Sequence, residues 1–308
     1  MKNIAFLFPG QGSQSVGMMS GFGDSNIIRD TFTEASDILG VDLWVMATEA
    51  NDSINETTNT QPIMLAAGVA TWRAWHATSD RLPIVLAGHS LGEYTALVAS
   101  GALSFKDALP LVRYRAEVMQ NAVPAGVGAM AAILGLDDET VRAVCTEAAQ
   151  SEVLEAVNLN SPGQVVIAGN KAAVERGMEL AKAKGAKRAL PLPVSVPSHC
   201  ALMKPAALQL AEYLKNVTVN TPQIPVLHNA DVAAYSDSEK IKDALVRQLY
   251  SPVRWVETVQ AIAAQGVTQT AECGPGKVLA GLTKRIVAEL PCVALTSNDA
   301  LLELKNSI

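Results

Sequence analysis

One stretch, Pro83-Ile84-Val85-Leu86-Ala87-Gly88-His89-Ser90-Leu91-Gly92-Glu93, constrains this chain more than any other. An apolar run of strand type meets Gly88-His89-Ser90-Leu91-Gly92, a G-x-S-x-G pentapeptide, and residues 93–100 then read as a helix stopped by Gly101. A strand that turns so sharply into a helix brings two backbones too close for a Cβ at the flanking positions, which explains both glycines. The pattern predicts a nucleophile elbow in a parallel α/β sheet. Ser90 Oγ would stand above the sheet, and the amide of Leu91 would be free at the start of the new helix. The plainer alternative is an ordinary strand-to-helix turn in which the serine is only an N-cap.

The 308 residues suffice for about two domains with a large core. A composition 49% hydrophobic and 18% charged excludes a disordered chain. Net charge −6, with no Lys/Arg stripe interleaved with aromatics, argues against nucleic acid as a partner. Cys145, Cys200, Cys273 and Cys292 form no C-x-x-C pair and lie in apolar or helical contexts, so neither a metal site nor a disulfide framework is expected, and a reducing compartment fits. The run Ile4–Phe8 is cut by Pro9-Gly10 and is too short for a signal-peptide core. No run approaches the roughly 18 apolar residues of a membrane helix. The expectation is a cytoplasmic protein with no membrane partner.

The strand Ile4–Phe8 ends in Pro9-Gly10-Gln11-Gly12-Ser13-Gln14, a loop whose backbone amides are free to bind. Ser15 stands where a dinucleotide fingerprint needs its third glycine, and Met18 follows Gly17 where a Walker motif needs lysine, so an anion other than a nucleotide phosphate is expected. Helices are predicted over residues 27–39 and after Thr60-Gln61-Pro62, with a polar loop over 48–60 between them. Ser104 then caps a helix running to about Asn121. At about 100° per residue, Ala108, Leu111, Val112, Val118, Met119 and Ala122 form one stripe with Arg115 in its middle, while Arg113, Glu117 and Gln120 face the other way. A guanidinium aimed at the interior needs an anion, either a buried acid of this chain or a ligand.

From Gly128 the pattern changes to strand 129–136, helix 137–149, strands 154–160 and 164–168, helix 171–184 and strand 186–194. This βαββαβ order predicts a ferredoxin-like unit over residues 126–195, inserted between two parts of a main α/β domain, 1–125 and 196–308. Re-entry through Pro197-Ser198-His199 puts His199 at the hinge, where clefts form. Helices over 203–214, 238–250 and 256–264, strands at Val226-Leu227-His228 and 268–272, and a Gly274-Pro275-Gly276 turn opening the last helix complete the reading. His76 and His228 lack partner patterns and read as structural.

Gly10-Gln11-Gly12-Ser13-Gln14, Gly88 to Glu93, Arg115, Pro197-Ser198-His199 and Gly274-Pro275-Gly276-Lys277-Val278-Leu279, in this order and spacing, closely resemble the malonyl-CoA:acyl carrier protein transacylases of type II fatty acid synthesis, over nearly the whole chain. The resemblance implies an α/β-hydrolase-like main domain carrying the ferredoxin-like insert. It also implies ping-pong acyl transfer: Ser90 attacks the malonyl thioester of coenzyme A, His199 takes and later returns the proton, and the phosphopantetheine thiol of acyl carrier protein attacks the acyl-serine. Malonyl-CoA and the carrier protein would be the partners, coenzyme A entering as part of a substrate, with no cofactor. The amides of Leu91 and Gln11 would form the oxyanion hole, Arg115 the carboxylate clamp, and Met119 and Asn160 further substrate contacts.

A triad aspartate is absent from that family. Gln248 falls in the last turn of its helix, where carbonyls lack partners, so its backbone carbonyl is expected to hold Nδ1–H of His199 and Gln248→Ala to be mild. A serine thioesterase or other hydrolase on the same scaffold is the alternative. It calls for an acid between Ser90 and His199 in the chain, and the clearest, Asp137 and Asp138, belong to the insert.

Overall fold

Two sheets of opposite character divide the chain, whose computed structural model describes residues 2–194 and 196–308. In chain order, β1 (Ile4–Phe8) is followed by α1 (Asn26–Leu39), α2 (Leu43–Thr48) and α3 (Thr57–Thr78), and β2 (Val85–Gly88) by α4 (Gly92–Ala99) and α5 (Phe105–Gln120). Next come β3 (Gly128–Leu134), α6 (Asp138–Ala149), β4 (Leu154–Ser161), β5 (Gln164–Asn170), α7 (Lys171–Ala183) and β6 (Arg188–Pro191). The remainder is α8 (Lys204–Leu214), β7 (Val226–Leu227), α9 (Ser238–Gln248), α10 (Trp255–Ala264), β8 (Gln269–Glu272), α11 (Val278–Ile286), β9 (Cys292–Ala294) and α12 (Asn298–Ser307).

The first sheet is parallel, in the order β7-β2-β1-β8-β9. Every residue of β1 and β2 is buried, as strands covered by helices on both faces require. One cover is α3, whose Trp72 and Trp75 pack edge-on and tilted against Phe6 at ring separations of 5.4 Å. Register decides where chemistry can occur. Phe8 pairs with Gly88, so the loop after β1 and the turn after β2 leave the sheet side by side at its carboxyl edge. The chain after β7, beginning with His228-Asn229, emerges beside them. Ligands of open α/β sheets bind at this edge.

Antiparallel pairing makes the second sheet, β4-β5-β3-β6, with α6 and α7 packed over a core that includes Ile133, Val144, Val165 and Ile167. Backbone hydrogen bonds between Val253 and the Val157–Leu159 stretch of β4 tie this sheet to the rest of the molecule. Its last strand is shorter than the sequence suggests, ending at Pro191, because Pro191 and Pro193 cannot donate to a ladder. The expected boundary at residue 195 lies outside the described residues.

Two further expectations are corrected. Residues 48–60 are not one loop: α2 ends at Thr48, and α3 begins at Thr57, so Gln61 and Pro62 lie inside a helix. Side-chain bonds that leave no periodicity fix this start, among them Thr60 Oγ1 to the Ile54 carbonyl at 2.6 Å. Nor is α11 the last helix. β9 extends the parallel sheet beside β8, and α12, capped by Ser297, closes the chain. No helix among the described residues is long and apolar enough to cross a membrane.

Candidate active site

The elbow is built as tightly as its glycines suggest. A Cβ on Gly88 would lie 1.9 Å from the Gly92 carbonyl carbon, and one on Gly92 would lie 2.0 Å from the Phe8 carbonyl oxygen. Ser90 itself sits in the left-handed region at φ 51°, a conformation that costs a non-glycine residue about 1–3 kcal/mol and persists only where the surroundings impose it. Asn229 imposes it from behind: its Oδ1 accepts from Ser90 N–H at 2.7 Å while its Nδ2 donates to the Gly88 carbonyl at 2.6 Å. Asn229 follows β7, the edge strand paired with β2, and nothing near it in sequence announces this role.

Ser90 Oγ lies 2.8 Å from Nε2 of His199, and Nδ1 of the same ring lies 2.8 Å from the Gln248 carbonyl at the end of α9. A carbonyl only accepts, so Nδ1 carries the proton and Nε2 is left as the acceptor for the serine hydroxyl. His199 is likewise left-handed, at φ 66°, pinned by its own N–H to the Leu249 carbonyl at 3.0 Å. Burial first, then the nearby Arg115 charge, push the imidazole down to about 3. It therefore rests neutral, as a general base must.

Arg115 projects from α5 into the same place and is 1% exposed. Among the described residues it makes no ion pair. Nη1 donates to Gln61 Oε1 at 2.8 Å, and Nη2 to Gln248 Oε1 at 3.0 Å and to Ser90 Oγ at 3.2 Å. The guanidinium carbon lies 5.3 Å from the centre of the Tyr94 ring. Its direct partners are neutral oxygens, so a full anion brought by a ligand would be its strongest partner. The outward residues of the same helix, Arg113 and Glu117, pair with each other at the surface.

The side chain of Gln248 requires a correction. Its expected role was confined to the backbone, yet the amide is buried among Arg115, Glu93 and the Ser90 carbonyl, so Gln248→Ala is no longer expected to be mild. Gln61 was missed for a related reason: the sequence reads it as a helix boundary, whereas it lies buried within α3, donating to Met119 Sδ at 3.9 Å.

A cavity of about 130 Å³ opens at Ser90, lined in part by Gln11, Leu91, Arg115 and Met119. Among the described residues, neither the Leu91 nor the Gln11 backbone N–H donates to another group. Asn160, expected as a substrate contact, is not among the residues that line this cavity. Its Oδ1 lies 2.8 Å from Nε2 of His89, a ring that does line the cavity. Asn158, two residues earlier on β4, lines the cavity instead, with a buried Oδ1 that has no partner. Asp137 caps α6 through Thr140 N–H at 2.8 Å. His76 is exposed against Trp72, and His228 is fully buried beside Glu93. Among the described residues, no group of three or more His, Cys, Asp or Glu could hold a metal ion.

Comparison with known proteins agrees with this geometry. The family described as acyl transferase domain matches residues 5–296. The chain is 57% identical over 298 residues to a protein of Haemophilus influenzae named malonyl CoA-acyl carrier protein transacylase, covering 96% of each chain. It superposes with a TM-score of 0.97 on an acyl-carrier-protein S-malonyltransferase from Burkholderia pseudomallei, 59% identical and covering 99% of both chains. A malonyl-transacylase solved in complex with a type II PKS acyl-carrier protein, 52% identical, superposes with a TM-score of 0.98 over 99% of this chain and 100% of that one. With its Ser90 elbow, buried arginine and full-length likeness to these proteins, the chain belongs to the malonyl CoA-acyl carrier protein transacylase family.

Proposed function

We propose that this chain transfers a malonyl group from coenzyme A to the phosphopantetheine thiol of an acyl carrier protein, in fatty acid biosynthesis, through a malonyl ester of Ser90. One observation carries the reading: Ser90 Oγ lies 2.8 Å from His199 Nε2 and 3.2 Å from Arg115 Nη2, so nucleophile, base and carboxylate receptor converge on one atom. A malonyl carboxylate is one methylene from the carbonyl under attack. The cation that reads it must therefore stand beside the nucleophile.

In the first half-reaction Oγ bonds to the thioester carbon as its proton passes to His199 Nε2, and the carbonyl oxygen becomes an oxyanion facing the free amides of Leu91 and Gln11. The C–S bond then breaks, and His199 returns the proton to the departing coenzyme A thiolate. The second half-reaction runs these steps in reverse with the carrier thiol as nucleophile. No cofactor or metal enters the scheme. The relative solved with an acyl-carrier protein supports the acceptor.

The parallel sheet with its elbow supports an α/β-hydrolase-like main domain over residues 1–125 and 196–308. The order β4-β5-β3-β6 with its βαββαβ sequence supports a ferredoxin-like unit over residues 126–195. Hydrolysis is disfavoured because His199 Nδ1 faces a carbonyl, and Asp137, one of the two candidate acids, is occupied in capping α6. The test is radiolabelled malonyl-CoA with and without carrier protein. Label should appear on the protein and then on the carrier, whereas release as free malonate alone would make the chain a hydrolase.

A further inference from the structure

Behind the catalytic serine lies a layer of buried polar groups that the reaction does not use directly, centred on Glu93. This side chain is 0% exposed and stands in the first turn of α4. Its Oε2 accepts from Gln248 Nε2 and from the Asn229 backbone N–H, both at 2.9 Å, and its Oε1 lies 2.7 Å from His228 Nδ1. A carboxylate so deeply buried is tolerated only where hydrogen bonds and an opposite charge answer it. A permanently charged buried group of this region is Arg115, which Glu93 does not touch: the Gln248 amide stands between them. Arginine only donates, so Gln248 Oε1 must face Nη2, and this turns Nε2 onto Glu93 and the Ser90 carbonyl. The amide is thus fixed at both ends, by a cation at its oxygen and a carboxylate at its nitrogen.

We propose that Glu93 is a positioning residue for the carboxylate clamp: acting through the Gln248 amide, its buried carboxylate aims the Arg115 guanidinium at the acyl site and answers its charge between substrates. The proposal rests on the reading of Ser90 and Arg115 as a malonyl-transfer site. Burial lowers the Arg115 pKa, and the nearby Glu93 charge acts against that lowering. An aimed guanidinium meets a carboxylate as a planar fork; a loosely held one meets it as little more than a point charge. Malonyl transfer therefore depends on Glu93, and acetyl transfer, which offers no carboxylate to the clamp, depends on it far less.

The experiment measures Ser90 acylation by malonyl-CoA and by acetyl-CoA, read by mass spectrometry of the acyl-enzyme, on the wild type, Glu93→Gln, Gln248→Leu and the double variant. Glu93→Gln removes the charge at nearly constant shape. It should lower the malonyl-to-acetyl ratio of second-order rate constants by about tenfold. In the Gln248→Leu background, where the connection is already cut, adding Glu93→Gln should leave the ratio within about twofold. Parallel loss with both thioesters in Glu93→Gln would overturn the proposal, because a merely structural role weakens both alike. An undiminished fall in the Gln248→Leu background would also overturn it, since Glu93 would then act by another route. If Glu93→Gln does not fold, Glu93→Asp, which keeps the charge on a shorter arm, takes its place: a lowered ratio supports the proposal and a wild-type ratio overturns it. A wild-type protein acylated by neither thioester would instead overturn the transfer reading itself.

Discussion

Arg115 donates to the oxygen of Ser90 itself, Nη2 to Oγ at 3.2 Å. The group expected to select the substrate and the group expected to attack it are hydrogen-bonded partners. Two consequences follow from the physics. On the proposed reaction the cation sits where an acyl group with a carboxylate near its carbonyl would satisfy it, and its field falls on the His199 imidazole as well.

The assignment of Ser90 and His199 is tested by removing each. Ser90→Ala should bind malonyl-CoA but form no covalent adduct; a malonyl adduct seen by intact-mass analysis would place the nucleophile elsewhere. His199→Ala should slow both half-reactions by about 10² or more, the usual contribution of a general base.

The depressed pKa of His199 sets a pH signature. A base held at about 3 stays neutral through the whole range in which an ordinary histidine would protonate, so the acylation rate should be flat from pH 7.5 to about pH 5 and fall only at lower pH. An acid limb centred near the ordinary value of 6.5 would show that the ring is solvated. Stability runs the same way. Between about 3 and 6.5 the unfolded chain binds the proton and the folded chain does not, so this group makes the protein less stable as pH falls through that window. Chemical denaturation of the wild type and His199→Gln at pH 7 and pH 5 should show a smaller acid loss in the variant.

The glycines of the elbow can be separated from an ordinary glycine by one comparison. Gly92→Ala would set a Cβ 2.0 Å from the Phe8 carbonyl oxygen, a backbone atom that cannot swing aside, and should cost about 3 kcal/mol or more. Gly281→Ala, in α11 with nothing within 4 Å of the added Cβ, should instead stabilise by up to about 1 kcal/mol. Denaturant midpoints of both variants are the measurement, and equal shifts would contradict the steric account.

How far the site was legible depended on how local each signal was. The elbow, the buried face of α5 and the inserted βαββαβ order are patterns of neighbouring residues, and all are readable in the sequence. Gln61 and Asn229 are not, because each acts on a group 54 or 139 residues away in the chain through a side-chain bond that leaves no periodicity. Asn158 and Asn160 stand two apart on β4, and the pairing register with β5 shifts between Leu159 and Ser161, across Asn160. Spacing alone therefore could not tell which of the two meets the cavity. The strand β9 was missed because three residues are too few to show alternation.

The sharpest test falls on Arg115. Its direct partners are the neutral oxygens of Gln61, Gln248 and Ser90, so a malonyl carboxylate entering the cavity would supply a charge-assisted, bidentate contact that they do not. Acetyl-CoA brings no such group and leaves the buried cation without an anion in contact, so the wild type should discriminate against it. Arg115→Ala removes both the attraction and the rejection. Malonyl transfer should fall by about 3 kcal/mol or more in activation free energy, the usual cost of breaking a buried charge pair, while acetyl transfer holds or rises. Arg115→Lys should recover only part of the malonyl rate, because an ammonium keeps the charge and loses the planar fork that meets Gln61 and Gln248 together. The measurement is kcat/KM for both thioesters on the three proteins. A parallel loss of malonyl and acetyl transfer would make Arg115 a structural cation and remove the basis for malonyl specificity at this site.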